Sequence, residues 1–300
     1  SNVDDLSYYQ RPEGQTASYV YGNDHSPSEQ YIWGAWETLY KGINNANMLI
    51  ENVDGADMED AIKTRIKGEA KFLRAYYHFL LVQGWYEVPL RPESFKDVNN
   101  SSKEATSHVE EMEDCVDMVD NTNYDLSPSY VKKNSVMGVL ARVYLWRACY
   151  PFDGKISSDG KAYFEKAAYW ATQVKNSNKH HLNPDVYTMW KAMASDTYDT
   201  EYNESIWEAE FIGTRDDGSY TAGRIGNVIG NIQKGTANPG NGYAYGFYAP
   251  TLILWDLFDE KDKRRDLSIA PYQINAKEEK VEWTAKQIVQ RSCGKFRREW

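Results

Sequence analysis

The 300-residue sequence has few cysteines, few histidines and no long apolar run. Cys115, Cys149 and Cys293 are widely spaced and form no C-x-x-C pair, so they predict neither a disulfide framework nor a zinc site. A membrane-spanning helix needs about 20 consecutive apolar residues, and no such run is present. Acidic residues outnumber basic ones by 44 to 34, and no Lys/Arg cluster provides the electrostatic footprint of a nucleic-acid-binding protein.

Recognisable catalytic motifs are also missing. The sequence contains no H-E-x-x-H, no G-x-S-x-G and no P-loop, and the glycines at 223, 226 and 230 lack the spacing of a dinucleotide site. The adjacent His180 and His181 have no nearby carboxylate in the sequence, which favours a loop pair over a metal site. We therefore expect a protein that is not an enzyme, with no catalytic residue, no metal and no cofactor.

Tyrosine and tryptophan are abundant, with 23 Tyr and 10 Trp against 9 Phe. Both side chains carry a polar tip on an apolar body, which suits half-exposed ligand-binding surfaces as well as cores. Hydrophobic residues make up 41% of the chain, and a folded protein of this length buries about 75% of its unfolded surface. The composition therefore excludes a disordered chain.

Helical periodicity dominates the first 180 residues. Apolar residues recur at steps of three and four in four stretches: about Pro27 to Val53, Asp57 to Trp85, Lys103 to Asn121 and Lys161 to Asn176. The stretch from Asn134 to Tyr150 is apolar nearly all round, which predicts a helix buried between others. Asp57 and Asn134 are predicted N-caps. The last two stretches have small residues on their faces and a polar turn between them, which predicts a tetratricopeptide-like helical hairpin. Five aromatic residues at helical spacing are predicted core residues: Trp36, Tyr76, Tyr77, Tyr144 and Trp146.

Beyond residue 180 the periodicity fades, and Asn, Asp, Tyr and Gly become frequent up to Pro250. Residues 205–213 read as a short strand, and Thr251 to Phe258 as a short helix. A long irregular segment in a compact protein is usually functional or disordered, and the aromatic content here favours function. The sequence thus predicts a mainly α fold, with a helical scaffold at about 27–178 and a loop-rich ligand region with little β structure at about 180–250.

Four segments carry a resemblance to a known family. They are Trp36-x-x-Leu-Tyr-x-x-Ile-x-x-Ala-Asn47, the stretch from Gly68 through Phe72-Leu-Arg74 to Gly84-Trp-Tyr-Glu-Val-Pro-Leu90, the stretch from Gly138 to Pro151, and Asp262-x-Arg-Arg-Asp266 with Gly294-Lys-Phe296. In order and spacing, these segments resemble the SusD/RagB-like glycan-binding outer-membrane lipoproteins. The resemblance extends over almost the whole chain, and its second segment is quite specific.

The resemblance implies a single SusD-like domain, 1–300, built from tetratricopeptide-like helical pairs. It implies non-catalytic binding of oligosaccharides or polysaccharides at the cell surface, and delivery to a SusC-like TonB-dependent outer-membrane transporter. Membrane attachment would be through an N-terminal lipid anchor, and the lipidated cysteine is not in this sequence. The family usually continues into further C-terminal helices, so we expect that this chain lacks the family's C-terminal part.

A sugar ring presents an apolar C–H face and a rim of hydroxyls, so its site needs aromatic platforms and short polar groups. Such residues are concentrated outside the helices in two segments, Tyr19 to Asp24 and Tyr220 to Tyr248. The predicted glycan-binding residues are Tyr21, Asn23, Asp24, Tyr220, Arg224, Tyr243, Tyr245 and Tyr248.

Two other functions remain open at this point. A helical-toroid glycosidase would share the aromatic subsites and would need two carboxylates facing each other about 5–10 Å apart. A tetratricopeptide-type adaptor would instead bind a peptide or protein partner along the concave groove of its helix pairs.

Overall fold

A computed structural model describes residues 6–10, 26, 29–86, 88–94, 108–120, 127–149, 159–211, 225–234 and 242–300. Its helices are α1 (Gln30–Asn52), α2 (Asp60–Trp85), α3 (His108–Asp114), α4 (Lys133–Cys149), α5 (Gly160–Asn176), α6 (Thr188–Ala194), α7 (Ile225–Ile229), α8 (Leu252–Asp256) and α9 (Lys263–Ser268). Its strands are β1 (Ser7–Tyr9), β2 (Tyr248–Pro250), β3 (Tyr272–Ile274) and β4 (Lys280–Glu282). The mainly α fold is therefore confirmed. Within the described ranges, none of the helices combines the length and the hydropathy that crossing a bilayer requires.

The chain divides into two compact units. The first, called here the helical unit, comprises Ile32–His181 and Ser205–Glu208. The second, called the mixed unit, comprises Ser1–Tyr31, Leu182–Glu204 and Ala209–Trp300.

The helical unit is built on antiparallel helix pairs, as the sequence predicts. Helices α4 and α5 pack along their length, and their core includes Leu140, Val143 and Ala167. Tyr144 is buried in this core, and Tyr76 and Trp146 pack against it while partly exposed. A second, smaller core lies between α1 and α2, where Trp36 and Tyr77 pack against buried aliphatic residues. The five aromatic core predictions are thus confirmed.

Both predicted N-caps are wrong. Helix α2 begins after Glu59, two residues beyond Asp57. Asn134 lies in the first turn of α4, where it is buried and its Nδ2 donates to Ser177 Oγ at 2.9 Å, just past the end of α5. The Asn134 side chain therefore forms a hydrogen bond to the end of α5 and does not cap its own helix.

A buried arginine joins the elements around α1 and α2. Arg74 Nη1 donates to Asn47 Oδ1 at 2.6 Å and to the Pro92 carbonyl at 2.8 Å. Its Nε donates to Glu111 Oε2 at 3.1 Å, and its Nη2 donates to the other oxygen of the same carboxylate. Because Arg74 and Asn47 are both buried, this network satisfies a charge inside the unit.

The same network fixes the segment 88–94, which follows α2. Asn47 Nδ2 donates to the carbonyls of Arg91, at 3.0 Å, and Glu93, at 2.7 Å. Tyr40 donates its hydroxyl to the Pro89 carbonyl at 2.7 Å. Side chains of two of the resembling segments therefore hold the main chain of this connection, which is a structural role.

In the mixed unit, two small antiparallel sheets are formed by β1 with β2 and by β3 with β4. The buried Arg297 donates from Nε to the Gly294 carbonyl at 2.8 Å and from Nη2 to the Asp266 carbonyl at 2.7 Å. A Cβ added at Gly294 would lie 2.7 Å from the Leu267 carbonyl oxygen, so the close approach requires glycine. The two halves of the fourth resembling segment thus meet in space.

Candidate functional site

A row of aromatic rings lies in the mixed unit, at the residues that precede and begin β2. From Tyr243 to Phe247, rings alternate with the small buried residues Ala244 and Gly246. The ring centroids of Tyr243 and Tyr245 are 4.7 Å apart, and those of Tyr245 and Phe247 are 4.8 Å apart. The three rings therefore form one continuous surface.

Two further rings extend this surface. Tyr9 on β1 lies 5.6 Å from the ring of Phe247 and 5.6 Å from the ring of Tyr248, in edge-to-face geometry both times. We call Tyr9, Tyr243, Tyr245, Phe247 and Tyr248 the aromatic strip. Tyr245 is the most open of them, with 42% of its surface exposed.

Helix α7 holds one edge of the strip by main-chain hydrogen bonds. The amide of Tyr245 donates to the Asn227 carbonyl at 2.8 Å, and the amide of Phe247 donates to the Val228 carbonyl at 2.9 Å. Asn227 also donates its side-chain Nδ2 to the Tyr243 carbonyl at 2.6 Å. These bonds use backbone atoms of the strip, so they fix its course independently of the rings.

Main-chain hydrogen bonds from Gln233 and Gln10 also hold the backbone of the aromatic strip. Ala244 and Gln233 exchange both of their main-chain hydrogen bonds, each at 3.0 Å. The amide of Gln10 donates to the Phe247 carbonyl at 2.8 Å, directly after β1. A surface that is ordered before binding loses less conformational freedom when a ligand arrives, so this attachment favours recognition.

The backbone angle and the close packing at position 246 of the aromatic strip require a glycine. Its φ is +59°, and an added Cβ would lie within 2.8 Å of Ser292 Cβ and still closer to Ile232. Gly246→Ala is expected to lower the free energy of unfolding by about 2 kcal/mol, from the strained φ and the overlap together. Gly226→Ala is the matched control, because its Cβ would meet only Phe296 Cβ, at 3.9 Å. Urea denaturation of both variants checks this, and equal stabilities would contradict it.

Polar groups border the strip. Tyr8, next to Tyr9, donates its hydroxyl to the Val289 carbonyl, and burial raises the pKa of this phenol above its ordinary value. The Arg298 guanidinium lies against the backbone of Gly242, directly before Tyr243. The strip itself can therefore offer apolar ring surface together with the phenol groups of its tyrosines.

The structure brings together three of the predicted site residues, Tyr243, Tyr245 and Tyr248. The other five lie outside the described residues and stay predictions: Tyr21, Asn23, Asp24, Tyr220 and Arg224. Tyr9 and Phe247 were not predicted as site residues. For Phe247 the alternation of rings with small residues is a usable signal, whereas Tyr9 is far away in the sequence and joins only through the pairing of β1 with β2.

Across the described ranges, no three or more His, Cys, Asp or Glu residues are grouped so that they could hold a metal ion.

Comparison with known proteins places the sequence among related chains. Residues 6–145 match the family model SusD-like_3, described as starch-binding and associating with the outer membrane. A SusD-like protein, P25, from Formosa agariphila is 34% identical over 71 residues, which are 23% of this chain and 14% of that protein.

Solved structures show the same fold. A SusD homolog from Bacteroides thetaiotaomicron superposes with a TM-score of 0.78 at 24% identity, over 95% of this chain and 56% of that one. A surface glycan-binding protein A from Bacteroides thetaiotaomicron, in complex with laminarihexaose, superposes with a TM-score of 0.73 at 16% identity, over 99% and 63%. The chain thus spans less than two thirds of the length of each of these relatives.

Proposed function

Because this chain belongs to the SusD-like family, we propose that it binds oligosaccharides or glycans at the cell surface without cleaving them. The observation that carries this proposal is the aromatic strip, whose backbone is held on both sides by main-chain hydrogen bonds. The complex of a relative with laminarihexaose supports a saccharide as the ligand class.

The chemistry of the strip matches a sugar chain. Apolar C–H faces of a sugar can lie against the rings, while its hydroxyls exchange hydrogen bonds with the phenol groups of Tyr243 and Tyr245. Tyr245 and Phe247 stack on each other at an interplanar angle of 29°, so part of their ring faces is already used. The ligand therefore contacts the outer edges and hydroxyls of the strip as well as the remaining faces.

The proposal extends to what happens to the bound glycan. The protein passes it to a SusC-like TonB-dependent transporter and is held at the outer membrane by an N-terminal lipid anchor. The family's association with the outer membrane supports this location.

The proposal is tested by native affinity electrophoresis of the purified chain in gels containing starch, laminarin or xyloglucan, with bovine serum albumin as the non-binding reference. We expect retardation in at least one gel and no new reducing ends in the same samples. Retardation with new reducing ends would favour the glycosidase instead. A folded chain that no polysaccharide retards would overturn glycan binding and favour a peptide ligand.

A further inference from the structure

The strand β1 makes contacts on both of its faces. Successive side chains of a strand point to opposite faces, so Tyr8 and Tyr9 diverge. The Tyr9 ring belongs to the aromatic strip through its contacts with Phe247 and Tyr248. The Tyr8 hydroxyl donates instead to the carbonyl of Val289, which is not part of the strip. One residue of β1 therefore supplies a ring, and its neighbour attaches the strand to another segment.

Two side chains attach this part of the chain to the same segment. Tyr8 and Gln10, which directly follows β1, are alternate residues and point to one face. Tyr8 donates to the carbonyl of Val289, and Gln10 donates from Nε2 to the carbonyl of Arg291 at 3.4 Å. The second distance exceeds the usual range of about 2.7–3.2 Å, so the Tyr8 hydroxyl provides the stronger attachment.

The segment that accepts these bonds is itself held in place. Arg291 is buried, with 6% of its surface exposed, and its amide donates to the Ile288 carbonyl at 3.1 Å. Its guanidinium lies 4.6 Å from the ring centroid of Trp255 in α8, a distance typical of a cation–π contact. Residues 288–290 also contact β2. The Val289 carbonyl is therefore a fixed acceptor beside the strand with which β1 pairs.

The strand β1 is short. It has three residues, and it pairs with β2 in a two-stranded sheet. Such a sheet is marginally stable by itself in water, so a side-chain hydrogen bond outside the ladder is a substantial part of what holds it. The rest of the aromatic strip is attached separately, since the amides of Tyr245 and Phe247 donate to carbonyls of α7. Detachment of β1 would therefore remove the Tyr9 ring and leave the backbone of the other rings attached.

We propose that Tyr8 is a positioning residue for glycan binding. Its hydrogen bond to Val289 keeps β1 paired with β2, and the paired strand keeps the Tyr9 ring in the aromatic strip. This role rests on the proposed function, because Tyr8 acts on the same site through another residue. Since the unpaired state lacks one ring of the site, the apparent affinity falls as the fraction of molecules with a paired β1 falls.

Tyr8→Phe removes the hydroxyl and keeps the ring. One net hydrogen bond corresponds to about a fivefold change in an equilibrium, and part of the population stays paired without it. We therefore expect this variant to bind about threefold more weakly than wild type in the gel that retards the wild-type chain most. In a Tyr9→Ala background the same change is expected to have no further effect, because the ring that Tyr8 positions is then absent.

Tyr187→Phe is the matched control for the lost hydroxyl. Tyr187 also donates its hydroxyl to a main-chain carbonyl of the mixed unit, that of Lys263 at 3.3 Å, and it is not part of β1. This variant is expected to bind like wild type.

Hydrogen exchange followed by mass spectrometry measures the pairing of β1 directly. In Tyr8→Phe, the peptide that contains Gln10 is expected to exchange up to about fivefold faster, because the Gln10 amide donates to the Phe247 carbonyl across the strand pair. The peptide that contains Gln233, whose amide donates to the Ala244 carbonyl, is expected to keep its wild-type rate. A general loss of stability would accelerate exchange in both peptides.

The outcomes distinguish this proposal from the previous one. Unchanged retardation of Tyr8→Phe, beside a wild-type chain that is retarded, would overturn the role of Tyr8 and leave glycan binding in place. An undiminished effect of Tyr8→Phe in the Tyr9→Ala background would also overturn it, because Tyr8 would then not act through Tyr9. An equal loss in Tyr187→Phe, or equal acceleration of both peptides, would refute an effect specific to β1. Wild-type protein that is not retarded in starch, laminarin or xyloglucan would overturn both proposals.

Discussion

Simultaneous replacement of Tyr243, Tyr245 and Tyr248 by alanine is expected to abolish retardation by the glycan while leaving the melting temperature nearly unchanged. Truncation of a central aromatic contact in a binding surface typically costs about 2 kcal/mol or more, and three such losses exceed the affinity of a modest sugar site. The fold should survive, because the hydrogen bonds that hold this segment come from main-chain atoms that alanine retains. Affinity electrophoresis and thermal denaturation of the same preparations measure the two quantities.

The matched control for this variant is Tyr198→Ala. Tyr198 is 52% exposed in the same unit and is not part of the aromatic strip, so its removal should leave retardation at the wild-type level. Undiminished binding by the triple variant would show that the strip is not the site. A large fall in its melting temperature would instead show that the rings support the fold.

Arg74→Met is expected to give the largest loss of stability, about 3–5 kcal/mol in the free energy of unfolding. The substitution leaves the Glu111 carboxylate without the guanidinium that neutralises it, and it also removes the donor to Asn47 and to the Pro92 carbonyl. Urea denaturation followed by far-UV circular dichroism measures the loss. Adding Glu111→Gln should recover part of it, because the second change removes the unpaired buried charge.

Lys133→Met is the control for this prediction. Lys133 pairs with Asp117 at 2.6 Å, but the Asp117 carboxylate is exposed, and an exposed pair contributes about 1 kcal/mol or less. If Arg74→Met were no more destabilising than Lys133→Met, the buried network would not support the unit.

Most of the long helices were predictable because burial of one face leaves a repeating apolar pattern in the sequence. The pattern places α5 within one residue of its observed bounds, Gly160–Asn176. Helix α4 is buried on several sides, and a nearly continuous apolar run predicts it instead. Helix ends were less predictable, since a polar side chain can bind a neighbouring element instead of its own helix, as Asn134 does with Ser177.

The predicted strand at residues 205–213 shows how alternation can mislead. The described part of this segment, 205–211, contains no strand. Trp207 instead packs edge-to-face on Phe72, at 5.1 Å, and donates its indole N–H to the Ser129 carbonyl at 3.1 Å. Ile206 and Trp207 therefore pack against the core of the helical unit instead of pairing in a sheet, whereas Ala209 and Phe211 are exposed.

The aromatic strip was only partly predictable for a related reason. Composition predicts Tyr243, Tyr245 and Tyr248 as glycan contacts, because rings and small residues are concentrated locally in the sequence, and their role in binding stays a prediction. Composition gives no sign of which distant residue completes a surface, so Tyr9 was missed. The arrangement of the chain as one domain with a loop-rich ligand region stays a prediction.

The pairing of β1 with β2 has a consequence for the order in which the protein folds. The amide of Thr251 donates to the Leu6 carbonyl, and these residues are 245 positions apart. Closing so long a loop costs more conformational entropy than joining neighbouring helices, so a pair this distant forms late in folding. Ile32–His181, by contrast, is continuous and packs mainly through elements that are neighbours in the sequence. The aromatic strip, which includes Tyr9 of β1, is therefore one of the last features of the described chain to form.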